Sequence, residues 1–216
     1  MYMPSTFKED RIEVMHELIR AHSLATLVTL TAGGLSANHI PMLIVPEPAP
    51  YGTLIGHVAR ANPLWREFDA NTDVLAVFSG PQGYITPSWY ASKPDTGKVV
   101  PTWNYAVVHA CGPLVIHDDI EWLRQLVTRL TERNEAPRAL PWQVSDAPAD
   151  FVDARLKDIV GIEIPLRRLE GKWKMSQNRV PRDRAGVVAG LRGAGDEQSQ
   201  AMANLVAEID AGIGQD

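Results

Sequence analysis

Cysteine is nearly absent from this chain: Cys111 is the single thiol among 216 residues. An internal disulfide is excluded, and a reducing compartment fits. No CxxC or HExxH pair occurs, and His39, His57, His109 and His117 lack any spacing that forces a metal site, so no metal is expected. Long hydrophobic runs are missing as well. No stretch approaches the roughly eighteen apolar residues that cross a bilayer, and the opening MYMPSTFKEDR lacks the basic-then-apolar order of a secretory leader. These features are those of a cytoplasmic protein. Positive charge is in deficit, with a formal net charge of −5 and a pI near 5.7, so the whole-chain field repels phosphate backbones and anionic membranes. There is no Gly-x-Ser-x-Gly elbow and no convincing carboxylate pair, which argues against a hydrolase. The one G-x-G, Gly193 to Gly195, follows no strand, so a Rossmann domain is not expected.

Aromatic residues, by contrast, are concentrated. Tyr84, Trp89, Tyr90, Trp103 and Tyr105 fall within a short proline-containing span, as YITPSWY and VPTWNY. Rings in a stiff, partly polar segment suit a flat ligand or a partner surface better than a dry core. With 45% hydrophobic residues, the chain is long enough to bury a core as one large domain, with or without a small appendage.

The pattern along the chain is mainly β. Thr6 and Glu9 have capping-box spacing, and Ile12, Met15 and Ile19 recur at helical intervals, predicting a helix from about Lys8 to His22. Leu24 to Thr31, a Gly33-Gly34 turn and Leu35 to Val45 read as an antiparallel hairpin. Thr53 to Val58 and Val74 to Phe78 are further strands, separated by a helix that Asn62-Pro63 opens and that runs to about Phe68. From Val99 to His117, alternation sets Trp103, Tyr105, Val107 and His109 on one face and Asn104, Ala106 and Val108 on the other. Asp118-Asp119 caps a helix, Val160, Ile162, Ile164 and Leu166 alternate again in a strand that ends at Gly171, and the chain from Arg182 onward is predicted helical. Five to seven strands without regular βαβ alternation imply an antiparallel barrel or sandwich with flanking helices.

Four segments carry candidate chemistry. Gly56 to Pro63, GHVARANP, leaves a strand and enters a helix, offering the His57 imidazole, the Arg60 guanidinium and Asn62 at a helix start. An Arg fork and free N–H groups suit a phosphate, although Asn62 as a plain cap and Arg60 as a solvated cation is the simpler interpretation of that segment alone. Asn38 and His39 alternate on the neighbouring strand. In VPTWNY, the broad ring of Trp103 and the amide of Asn104 suit a heteroaromatic ligand or a packed core equally. In GKWKMSQNR, Lys172, Lys174 and Arg179 gather with two amides, as a phosphate site, a local DNA contact or a solvated loop.

Taken together and in order, with the tripeptide His39-Ile40-Pro41 upstream, GHVARANP, YITPSWY, VPTWNY and GKWKMSQNR resemble the PaiB family, described as FMN-binding negative transcriptional regulators. The resemblance spans most of the chain and fades beyond about Arg182. It implies a split β-barrel of the kind shared with pyridoxamine-phosphate oxidases, over residues 1–180, with residues 181–216 as a helical extension packed on the barrel or on a partner subunit. It further implies a homodimer with FMN near the subunit interface. By motif position, His57, Arg60 and Asn62 would hold the flavin phosphate, Arg60 foremost. Asn38, Trp103 and Asn104 would border the ring system, Trp89 and Tyr90 would close the pocket, and Lys174 and Gln177 would complete the site or bind a second ligand. The functions this leaves in competition are a flavin-binding transcriptional regulator, a flavin-dependent oxidoreductase of unknown substrate, and a module for heme or another planar ligand. No helix-turn-helix with a basic recognition helix is evident, so DNA is a weak partner.

Overall fold

The computed structural model describes residues 1–212. Its strands are β1 (Lys8–Glu9), β2 (Leu24–Thr31), β3 (Gly34–Val45), β4 (Thr53–Ala59), β5 (Val74–Ile85), β6 (Thr102–Gly112), β7 (Val115–His117), β8 (Ile159–Pro165) and β9 (Arg168–Lys174). The helices are α1 (Ile12–Ala21), α2 (Leu64–Glu67), α3 (Lys93–Thr96), α4 (Ile120–Glu135), α5 (Ala149–Leu156), α6 (Pro181–Ala194) and α7 (Glu197–Asp210). The chain is thus mainly antiparallel sheet with flanking helices. Its contacts divide it into two compact units: residues 1–18, 79–108 and 170–216 form the first, and residues 19–78 and 109–169 the second.

In the second unit the hairpin sits where the sequence places it. Leu24 to Thr31 pairs antiparallel with Gly34 to Pro41, closed at Gly34, whose φ of 108° only glycine adopts readily. The order continues from β3 to β4, β8 and β7. One face of β4 and β8 is dry: Leu54, Val58, Val160, Ile162 and Ile164 are buried. On the other face Leu43 and Ile55 pack against Leu126 of α4, with Val45, Trp122 and Leu130 around them. Asp119 caps α4 by accepting from the Trp122 amide at 2.8 Å, as the Asp-Asp pair predicts. Gly161 is a close-approach position, because a Cβ there would stand 2.2 Å from the Trp122 ring. That ring stacks on His117 at 4.1 Å, and His117 in turn meets Glu163 at 2.8 Å.

The first unit departs more from expectation. Lys8 and Glu9 do not begin a helix but pair with Lys172 and Gly171 of β9, and Glu9 turns to bind Arg11. A strand partner from far along the chain has overridden the local capping signal, and α1 starts at Ile12. The single strand expected to run from Val160 to Gly171 is two: β8 ends at Pro165, and β9 starts at Arg168 and continues to Lys174, its sequence RLEGKWK too polar to advertise a period of two of its own. Along β6 the predicted alternation holds, with Asn104, Ala106 and Val108 buried. Helices α6 and α7 supply Val187, Leu191, Met202, Ala203 and Val206 to a buried layer. Residues 213–216 of the expected helical extension lie outside the described residues. Among the described residues, no helix is long and apolar enough to cross a membrane.

Candidate functional site

The candidate residues fall into two groups, one in each unit, and each group is described by itself. Asn38, His57, Arg60 and Asn62 belong to the second unit, and Trp89, Tyr90, Trp103, Asn104, Lys174 and Gln177 to the first.

Arg60 is a structural hub. Its Nε donates to the Lys157 carbonyl at 2.7 Å, its Nη1 to Asp118 at 3.0 Å, and its Nη2 to both Asp118 and the Ile159 carbonyl. Four of the five guanidinium N–H groups are therefore engaged within the chain. Its backbone is tied too: the amide donates to Asp158 at 2.7 Å, and the carbonyl accepts from the Trp65 indole at 3.0 Å. The bond to Asp118 raises the Arg60 pKa and lowers that of the carboxylate. The staple joins the end of β4 to the α5–β8 corner and the start of α4.

Asn62 is similarly occupied. Its Oδ1 accepts from the Leu64 amide at 2.9 Å and its Nδ2 donates to Asn38 at 2.9 Å. The helix it opens, α2, is a single turn of four residues, so the expected helix dipole for a phosphate is not available there. His57 differs from its neighbours. Its Nδ1 is buried and has no partner among the described residues, and burial lowers its pKa, keeping the ring neutral with one N–H to give and one lone pair to receive. His39, on the opposite face from Asn38, bonds Thr26 at 3.2 Å.

In the first unit, the VPTWNY and GKWKMSQNR segments lock together. Lys174 Nζ donates to Thr102 Oγ1 and, at 2.6 Å, to the Trp103 carbonyl, while Asn104 Nδ2 donates to Ser176 Oγ at 3.0 Å. Both Asn104 and Ser176 are buried. Gln177 closes the turn on itself, accepting from the Met175 amide at 2.7 Å and donating to the Trp173 carbonyl at 2.5 Å. Ser176 has a φ of 63°, the only positive value for a non-glycine among the described residues, a conformation that costs an L-residue about 1–2 kcal/mol and persists where its surroundings over-determine it. Burial, then the neighbouring charges of Lys172 and Arg179, lower the pKa of Lys174.

The aromatics divide by role. Trp103 is 53% exposed and meets the half-exposed Tyr84 edge to face at 6.1 Å. Trp89 and Tyr90, expected to close a pocket, pack against other residues of their own unit. A Cβ on Gly186 would stand 1.9 Å from the Trp89 carbonyl oxygen, and one on Gly190 would stand 2.2 Å from its ring, so α6 carries a glycine notch that seats Trp89. Tyr90 is only 2% exposed, with the Arg179 guanidinium 4.6 Å from its ring centroid and its hydroxyl buried without a partner among the described residues. Next to it, Ser92 donates through its amide and hydroxyl to Asp183 of α6 at 2.8 and 2.7 Å. Sequence reasoning missed Asp118, Thr102 and Ser176, which act through contacts distant in the chain that no local spacing signals.

Within the second unit, the buried His57 imidazole, whose Nδ1 has no partner among the described residues, is a hydrogen-bonding group that suits FMN chemically. Comparison with known proteins gives the same ligand. Residues 1–168 match the family described as "Putative FMN-binding domain". The protease synthase and sporulation protein PAI 2 of Bacillus subtilis is 33% identical over 95% of this chain and 96% of its own length. The Emericella nidulans protein AN0679 is 35% identical over 96% of this chain and 97% of its own. Among solved structures, the FAD and heme binding protein from Mycobacterium smegmatis superposes with a TM-score of 0.58 at 14% identity, covering 82% of this chain and 78% of that one. The flavocytochrome Anf3 from Azotobacter vinelandii gives 0.57 at 12% identity, with 83% and 75% covered, so both establish a shared fold. The chain belongs to the PaiB family of FMN-binding proteins, and FMN is its cofactor.

Proposed function

We propose that this chain is a PaiB-type regulator that lowers transcription through the state of its bound flavin, acting on a partner rather than on DNA itself. The observation that carries the reading is the near full-length likeness to PAI 2, a protein named for protease synthesis and sporulation. Against direct DNA contact stand the net charge of −5 and the character of the C-terminal helical pair, in which α7 (EQSQAMANLVAEID) is acidic and offers no basic recognition helix. A split-barrel homodimer with FMN near its interface belongs to this reading, and light scattering on the purified protein checks the stoichiometry. A flavin-dependent oxidoreductase is the second reading, favoured by the 53% exposure of Trp103, an indole face open to solvent.

FMN when bound supplies electron transfer and a redox-dependent charge. The chain supplies position. We assign the phosphate to the GHVARANP segment, with His57 giving its spare hydrogen bond and Arg60 turning from Asp118 to the phosphate. This makes a sharp expectation. Asp118→Asn should tighten FMN binding several-fold by releasing the fork from a charged competitor, measured by fluorescence quenching of FMN on titration. Unchanged or weaker binding would leave Arg60 a purely structural residue and move the phosphate elsewhere. A gel shift with promoter DNA should show no sequence-specific retention, and specific retention would reverse the indirect mode.

A further inference from the structure

We propose that the cavity of the second unit between α4 and the sheet face of β3, β4 and β8 binds a free α-amino acid with an apolar side chain. Its volume is about 230 Å³. Sites for drug-sized ligands run to roughly 300–1,000 Å³, so this one suits a ligand of amino-acid size rather than a flavin, and none of the residues assigned to FMN lines it. Two surfaces meet there. From the helix come Trp122, Gln125, Leu126 and Arg129, which stand at i, i+3, i+4 and i+7 and so share one face of α4. From the sheet come Val45, Thr53, Ile55 and Glu163. Val45 is the register partner of Thr53, and Ile55 that of Glu163; cross-strand neighbours of this kind have Cβ atoms roughly 4.5–5.5 Å apart. Thr53 and Ile55 alternate onto the same side of β4, so the four side chains form one patch. Glu47, whose carbonyl accepts from Thr53 Oγ1 at 3.0 Å, completes the rim.

The floor is apolar: Ile55 and Leu126 are buried, with Val45 and Trp122 packed against them. Charge of both signs stands around it. Glu163 gives Oε2 to His117 at 2.8 Å and keeps its other oxygen without a partner among the described residues. Neither the Glu47 carboxylate nor the Arg129 guanidinium has a hydrogen bond or ion pair among the described residues, although both line the same cavity. A plain cation bound here would leave Arg129 unpaired, and a plain anion would leave the carboxylates unpaired. A zwitterion satisfies both. The ligand carboxylate would face Arg129 and Gln125, its ammonium Glu163 and Glu47, and its side chain the Ile55 and Leu126 floor. Residues behind the walls hold them in place. His117 stacks on the Trp122 ring at 4.1 Å with 5° between the planes while it bonds Glu163, and Gly161 leaves the room that ring needs.

The test is calorimetric titration of the full-length protein, with and without FMN, using L-leucine, leucinamide, N-acetyl-leucine and glycine. Leucine should bind. The two blocked forms each lack one charge and glycine lacks the side chain, so all three should bind at least tenfold more weakly. Arg129→Met and Glu163→Gln should each weaken leucine by tenfold or more, while Glu132→Gln, an exposed α4 residue outside this cavity, should leave it unchanged. Gln125→Trp, which fills the cavity from an exposed helix position, should abolish leucine binding with the urea midpoint preserved. No heat from leucine at millimolar concentration, a blocked form or glycine binding as well as leucine, or an unaffected Arg129→Met overturns the site. Leucine affinity should be the same at saturating FMN; displacement of leucine by FMN would place the flavin in this cavity and overturn the amino-acid assignment. Should the wild type take up no FMN, the flavin reading fails, while the leucine titration still decides this site.

Discussion

Arg60 and Arg179 look alike in the sequence, each a guanidinium in a polar segment, yet the fold treats them in opposite ways. Arg60 directs four N–H groups into its own chain. Arg179 directs none, and its turn is braced by other residues. The difference teaches that a cation in a motif is a ligand candidate only after its internal partners are counted. A satisfied fork reports architecture, and an unsatisfied one in a rigid setting reports a missing partner.

The sharpest way to break this contrast is to disturb the bracing. Gly186→Ala puts a Cβ 1.9 Å from a backbone oxygen of Trp89, which cannot step aside as a flexible side chain would. We expect it to destabilise the protein by about 3 kcal/mol, from overpacking, despite alanine's better helix propensity. Gly193→Ala, on the same helix with nothing within 4 Å of its Cβ, should instead be neutral or gain up to about 1 kcal/mol. Urea unfolding measures both. If the two variants are equally stable, the notch does not seat Trp89 and the turn lacks the support claimed for it.

A smaller effect separates the two arginines directly. Arg60→Ala removes ties to two backbone carbonyls and to Asp118 and should lower the melting temperature. Arg179→Ala should leave it unchanged. Calorimetry on the pair checks this, and a larger drop for Arg179→Ala would show that the sequence segment 174–179 is structural after all.

How far the sequence made this legible follows the range of each interaction. The hairpin of β2 and β3, the Asp119 cap and the alternation along β6 rest on neighbours in sequence, and all three are found as expected. The start of α1 is not, because Lys8 and Glu9 answer to β9, some 160 residues away. The same holds at the candidate site. Residue types and motif order brought out Asn104, Lys174 and Arg60, but not that Asn104 exists to hold Ser176, or that Asp118 occupies Arg60. Trp89 and Tyr90 read as pocket walls from composition, which is the same for exposed and packed aromatics; that Trp89 is seated against the glycines of α6 appears only in the fold.

The smallest predicted effect lies in the pH dependence, where the two regions share a sign and differ in the pH window. His57 and Lys174 are both bases whose pKa is lowered, His57 by burial and Lys174 by burial and then by its cationic neighbours. In each case the unfolded chain binds the proton more tightly than the folded one, so stability rises with pH between the folded value and the ordinary one. For His57 that window lies below 6.5, so the ring is neutral and without penalty at physiological pH. For Lys174 it lies below 10.5, so the penalty on its charged form is carried at neutral pH. Urea unfolding from pH 5 to 10 should therefore show a rise on the acid side that His57→Gln flattens and a rise on the alkaline side that Lys174→Met flattens. An alkaline slope that Lys174→Met leaves untouched would show that the Lys174 ammonium carries no burial penalty in the folded chain.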